Sequence, residues 1–99
     1  MTTLTVRPDR DSVWGQYTLR VKNRAAVQAA LADAGVPTAV HYPKPLHRQP
    51  AYIQYGNPDS CPNALAAAEE VMSLPISADL REQDQDRIVA ALAAALGAP

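Results

Sequence analysis

Phenylalanine is missing from these 99 residues, tryptophan and cysteine occur once each, and glycine occurs four times. The single cysteine, Cys61, has no partner for an internal disulfide, which excludes a disulfide-stapled scaffold. Four scattered glycines leave no glycine-rich loop to cradle a phosphate, so the chain has no nucleotide-binding motif of that kind. Neither sign of charge dominates. Nine Lys and Arg stand against ten Asp and Glu, for a net charge of −1, and nucleic acid or an anionic membrane gains no electrostatic footing. No apolar run approaches the roughly 20 residues that a membrane-spanning helix requires. The start, MTTLTVRPDRDS, lacks the basic and apolar regions of a secretory signal, and a cytoplasmic setting is the expectation.

What is present is an ordinary globular composition, 47% hydrophobic and 19% charged, in a length that suits one domain. A chain of this size buries only about 60–65% of its unfolded surface on folding. From Val13 to Val21 apolar and polar residues alternate, which predicts a half-buried strand. Asn23 can cap a following helix that runs to Ala34, with Val27, Leu31 and Ala34 on one face and Gly35 in the left-handed position just past its end. Thr38 to Tyr42 reads as a second, short strand. Pro62 suits the first turn of a second helix, carrying Leu65, Ala68 and Met72 at helical spacing, and VMSLPI reads as a third strand ended by Pro75. A last helix is expected from about Glu82 to Leu96, with Ile88, Leu92 and Leu96 in one stripe and Glu82 and Asp84 near its N-terminus. The order strand, helix, strand, helix, strand, helix predicts an α+β fold: a small three-stranded sheet with helices packed on one face.

Residues 37 to 52, PTAVHYPKPLHRQPAY, hold both histidines, four of the nine prolines and two of the four tyrosines. Each proline fixes its own φ and pushes the preceding residue toward extended conformations, so the segment is a stiff loop and no helix. His41 and His47 lie six apart with no Cys, Asp or Glu between positions 37 and 55, which does not make a metal site. No G-x-S-x-G is present, and Cys61 beside Pro62 reads as a helix-capping or small buried residue, so no catalytic residue is assigned. His41 and Tyr42 are the candidates that survive. An imidazole and a phenol projected from a stiff turn offer directional hydrogen bonds to sugar hydroxyls, carboxylate or phosphate; a histidine packed under the loop is the alternative. Trp14 falls on the polar face of the expected first strand beside Gln16, and these two are candidates for a surface that meets another domain, unless a loop shields the indole.

Three stretches, SVWGQYTLRVKNR, ALADAGVPTAVHYPKPLHRQPAY and CPNALAAAEEVMSLPISADLREQDQDRIVAAL, together resemble the C-terminal domain of the DegT/DnrJ/EryC1/StrS family of pyridoxal-phosphate-dependent sugar aminotransferases. The likeness runs from Ser12 to about Leu92. Its most specific elements are the G-[IV]-x-T-x-x-H-Y-P-x-P-L block at Gly35–Leu46, the Q-P-A at Gln49–Ala51 and the S-L-P at Ser73–Pro75. Within the family, VWGQYT and PTAVHYP look most like enzymes that aminate the 3-keto position of a UDP-linked 2-acetamido-2-deoxy-hexuronate. The resemblance implies a lead-in at residues 1–11 and a small domain at 12–99, with a large domain that carries pyridoxal phosphate on its Schiff-base lysine lying outside the chain. Lys22 and Lys44 match neither the position nor the context of that lysine, so the chain alone is expected to be inactive. His41 and Tyr42 match the family's His-Tyr pair that reaches the sugar nucleotide; His47 sits where relatives vary. Arg81 stands where the family has a threonine cap, a departure that touches the helix start and not the site. The implied partners are the large domain, a sugar nucleotide with glutamate as amino donor, and a second subunit in a homodimer. A stand-alone module that binds a sugar nucleotide or a protein without chemistry is the other reading.

Overall fold

Two short strands and three helices account for most of the regular structure in residues 1–97, the part of the chain that the computed structural model describes. Ala98 and Pro99, the end of the expected 12–99 domain, lie outside the described residues. In chain order the elements are β1 (Tyr17–Arg20), α1 (Arg24–Asp33), α2 (Pro62–Glu70), β2 (Val71–Leu74) and α3 (Glu82–Ala95), with two single 3-10 turns at Leu46–Arg48 and Ile53–Tyr55 in the long loop between α1 and α2.

β1 and β2 pair antiparallel, Leu19 opposite Met72 and Thr18 opposite Ser73. Because side chains alternate across a strand, Leu19 and Met72 share the face that Val27 and Leu31 of α1 and Leu92 of α3 cover, and these residues with Val21 and Val36 form one buried core. Thr18 and Ser73 share the opposite face, where their hydroxyls are hydrogen-bonded at 2.9 Å. Each strand has one further neighbour of a single residue. Thr2 exchanges two backbone hydrogen bonds with Arg20 on the outer edge of β1, and Ala39 exchanges two with Ser73 on the outer edge of β2.

The sheet therefore has two strands, not the three the pattern predicts, and the expected strand at Thr38–Tyr42 is reduced to the Ala39 bridge. Continuing the Ala39–Ser73 register by two residues would set Pro37 against Pro75, and neither has an N–H to donate. In the other direction His41 would meet Val71, whose carbonyl already accepts from the Arg24 guanidinium at 3.0 Å. The first strand is likewise shorter than Val13–Val21. Trp14 has φ 49°, in the left-handed region, and Val13 is 99% exposed, so the ladder begins only at Tyr17.

The helix boundaries follow their signals more closely than their mechanisms. Asn23 precedes α1 as expected, but with φ 52° and no side-chain cap; its carbonyl accepts the first-turn N–H groups of Ala26 and Val27. Gly35 has φ +78°, and the N–H of Val36 reaches back to the Leu31 carbonyl at 2.8 Å while the two buried side chains meet in the core. Ala34 is exposed where the pattern places it inward, and its carbonyl accepts from Arg87 of α3 at 3.0 Å. Pro62 begins α2. α3 opens without a side-chain cap at Arg81, which instead pairs with Asp84 at 2.9 Å.

Candidate functional site

The loop that follows Ala39 is held by side chains as well as by its prolines. Arg48 donates to the Pro58 carbonyl at 2.6 Å and pairs with Asp59 at 3.2 Å, which ties the middle of the loop to its end before α2. Gln49 donates its amide to the Lys44 carbonyl at 3.0 Å and accepts backbone N–H groups from Tyr52 and Ile53. A stretch stiffened in this way holds what it displays in nearly fixed positions.

His41 and Tyr42 stand at its beginning, their rings edge to face with centroids 5.5 Å apart. Both are exposed, Tyr42 to 69%, and neither side chain makes a hydrogen bond within the described residues. The packed-histidine alternative therefore does not describe His41. The imidazole forms the ridge between two clefts. One, of about 240 Å³, is lined by Gln16, Thr38, His41, Ser73 and Pro75. The other, of about 280 Å³, runs between the loop and α2, with His41, Tyr42 and Lys44 on one wall and Ala64, Ala67 and Ala68 as its floor.

The structure brings Gln16 to His41 across the first cleft and turns Trp14 elsewhere. The indole is half-buried, a correction to the exposed position expected of it, because its left-handed backbone swings it onto Tyr17, with ring centroids 5.3 Å apart. Tyr17 in turn lines an apolar groove of about 340 Å³ with Leu74, Pro75, Leu80, Ile88 and Val89. His47 is separate from these clefts: its Nε2 is buried and has no hydrogen-bond partner among the described residues.

Composition and spacing did not single out Lys44, which the structure places on the wall of the second cleft. It lies between Pro43 and Pro45, two positions beyond Tyr42, and that position in the stiff block was the available signal. The other lysine is committed: the Lys22 ammonium and the Arg20 guanidinium both hold the Glu70 carboxylate. Lys22 first, and Arg20 with it, hold the Glu70 carboxyl below its ordinary value against an opposing desolvation. Lys22 is bound by Glu70 at the surface, and Lys44 stands exposed on the loop at one wall of the second cleft. Among the described residues, no three His, Cys, Asp or Glu side chains gather to hold a metal ion, and no helix is long and apolar enough to cross a membrane.

The profile of the DegT/DnrJ/EryC1/StrS aminotransferase family matches residues 1–93. The chain is similar to the erythromycin biosynthesis sensory transduction protein EryC1 of Saccharopolyspora erythraea, 46% identical over 88 residues, which is 88% of this chain and 24% of that protein. It is 54% identical over 65 residues to the UDP-2-acetamido-2-deoxy-3-oxo-D-glucuronate aminotransferase of Pseudomonas aeruginosa, covering 66% of this chain and 18% of the relative. A DegT DnrJ EryC1 StrS aminotransferase crystal structure from Brucella abortus superposes with a TM-score of 0.89 at 32% identity, over 97% of this chain and 26% of that one. The chain thus spans about a quarter or less of the length of the proteins it matches.

Proposed function

The chain belongs to the DegT/DnrJ/EryC1/StrS aminotransferase family, and we propose that its residues 12–99 are the C-terminal, substrate-side domain of a pyridoxal-phosphate-dependent enzyme that moves an amino group from glutamate onto a keto-sugar nucleotide. The observation that carries this reading is the pair His41 and Tyr42, exposed on a stapled loop with no partner inside the described residues. Polar groups fixed in place yet unused by the fold are suited to orienting a ligand held mostly by another part of the protein. Similarity to the Pseudomonas aeruginosa enzyme favours a UDP-linked 2-acetamido-2-deoxy-3-oxo-hexuronate as the sugar.

Pyridoxal phosphate supplies the electron sink for transamination when bound. We assign it to a large domain beyond this chain; the sequence context of Lys22 and Lys44, which does not match that of the family's cofactor lysine, and the engagement of Lys22 by Glu70 support that assignment. What this chain contributes is orientation: His41 and Tyr42 hydrogen-bond the sugar, and Gln16, across the first cleft from His41, faces the same ligand or the large domain. A homodimer in the cytoplasm is the assembly we propose for the whole enzyme.

A chimera tests the domain role. This chain is exchanged for the matching segment of the Pseudomonas aeruginosa aminotransferase, and amination of its keto-sugar nucleotide is measured. The chimera should turn over, and His41→Ala within it should lower kcat/KM between about three-fold and a hundredfold while the cofactor's absorbance stays, as expected for losing one hydrogen bond to a neutral or charged group. Loss of the cofactor's absorbance would place His41 in the cofactor pocket instead, and full activity of His41→Ala would remove its substrate role.

A further inference from the structure

Nine basic side chains are present, and in the described structure eight of them are engaged. Arg7 and Arg10 hold Asp9, Arg20 and Lys22 hold Glu70, Arg48 holds Asp59 and Arg81 holds Asp84. Arg24 and Arg87 donate to backbone carbonyls. Lys44 alone, among the described residues, makes neither an ion pair nor a side-chain hydrogen bond. It lines the cleft between the loop and α2 together with the two other uncommitted polar groups, His41 and Tyr42, and no acidic residue lines that cleft. Its backbone is fixed from three sides, by Pro43, by Pro45 and by the Gln49 amide on its carbonyl, so that only the flexible arm is left to adjust.

We infer that this cleft is an anion subsite in which Lys44 is the cation and a specificity-determining residue, taking either the diphosphate or the sugar carboxylate of the substrate. The inference rests on the sugar-nucleotide reading above and adds to it the charge that is recognised and the residue that recognises it. A compact ammonium on a long stem suits either group, because both are oxygen-rich anions that need a point charge more than a fixed fork. The alanine floor leaves room for the ligand beside the Tyr42 ring.

The test follows the side-chain resonances of Lys44, His41 and Tyr42 in the 99-residue chain while inorganic pyrophosphate, glucuronate, UDP-N-acetylglucosamine and neutral uridine are titrated in turn. UDP-N-acetylglucosamine and at least one of the two simple anions should move the Lys44 and His41 signals saturably, and higher ionic strength should weaken them. The stronger of pyrophosphate and glucuronate identifies which anionic group the cleft takes. Lys44→Gln should weaken binding about three- to tenfold, between the effect of an exposed ion pair and that of a charged hydrogen bond, whereas Lys22→Gln should leave it unchanged. If Lys44→Gln bound UDP-N-acetylglucosamine as tightly as the parent chain, with His41 and Tyr42 still responding, the anion subsite would be wrong and the sugar-nucleotide reading would stand. If no probe moved the Lys44, His41 or Tyr42 signals in the parent chain, the anion subsite would be wrong, and the sugar-nucleotide reading would still be decided by the chimera, where full activity of His41→Ala removes it.

Discussion

The face of the sheet that carries Leu19 and Met72 and the loop that carries His41 to Tyr55 are built on opposite principles. On the first, large apolar side chains are fully enclosed: Leu19, Leu31 and Met72 are at most 1% exposed, and the residues around them belong to two strands and two helices. On the second, Tyr42, Leu46, Tyr52, Ile53 and Tyr55 are all exposed, and a buried histidine nitrogen has no partner. The whole chain shows the imbalance. Its radius of gyration is 15.5 Å where a compact domain of this length has about 13 Å. Its accessible surface is 7161 Å², against about 5,500 Å² for a monomer of its mass. One region encloses its apolar side chains, and the other leaves apolar and polar groups exposed, as the proposed role beside a larger domain requires.

The sharpest way to break this division is to cut into the enclosed face. Leu31→Ala removes a side chain with no exposed surface at the point where β1, α1 and α3 meet, and should cost about 2–5 kcal/mol. For a domain this small that is a large share of its stability, so thermal unfolding should shift down by roughly 10 °C or more. A shift of only a few degrees would mean that the core is not where the stability lies.

The next largest effect should come from Arg24, which joins the enclosed face to the end of α2. Its guanidinium donates to the carbonyls of Ala68 and Val71, groups left without helical partners where the chain passes from helix to strand. Arg24→Met keeps the apolar stem and removes the donors, and should cost about 1.5–3 kcal/mol by denaturant unfolding.

Glu70 sharpens the comparison through pH. Its folded-state value is held below the ordinary 4.5 by Lys22 and Arg20, so in acid the unfolded chain takes up the proton first. The stability it contributes is complete above the ordinary carboxylate value and is lost as pH falls through Glu70's own lower value. Unfolding midpoints measured down the acid limb should fall less steeply in Glu70→Gln than in the parent chain. The difference should be smaller than the Arg24 effect, because these charges lie at the surface and solvent screens them.

The elements were more legible in the sequence than the pairing between them. Gly35 past α1, Pro62 at the start of α2 and Pro75 at the end of β2 act through their own backbone chemistry, and each marks its boundary from a single position. The third strand failed because its fate depends on two distant residues at once: Pro37 is an acceptable neighbour for a strand until the register sets it against Pro75. Trp14 was misjudged for a similar reason, since alternation alone cannot reveal a left-handed residue that ends the ladder and turns the ring onto Tyr17. At the site, the prolines made the loop and its His41–Tyr42 pair readable. Lys44 was not, because a free cation is recognisable only after the other eight have found their acceptors in the fold.

The smallest expected effect on stability belongs to the loop, and it is the one that separates the two regions most cleanly. Tyr42→Ala and Leu46→Ala remove as much apolar side chain as a core substitution does, yet both side chains are 69% exposed, so little buried contact is lost. Each should change the unfolding free energy by no more than about 0.5 kcal/mol. In the chimera with the Pseudomonas aeruginosa enzyme the same substitutions should lower kcat/KM for the keto-sugar nucleotide, Tyr42→Ala more than Leu46→Ala, because under the proposed function Tyr42 offers a hydroxyl that Leu46 lacks. A loop variant that lost stability on the scale of Leu31→Ala would show that the loop helps to hold this domain together. One that left both stability and turnover unchanged would show that the exposed face awaits something other than the substrate.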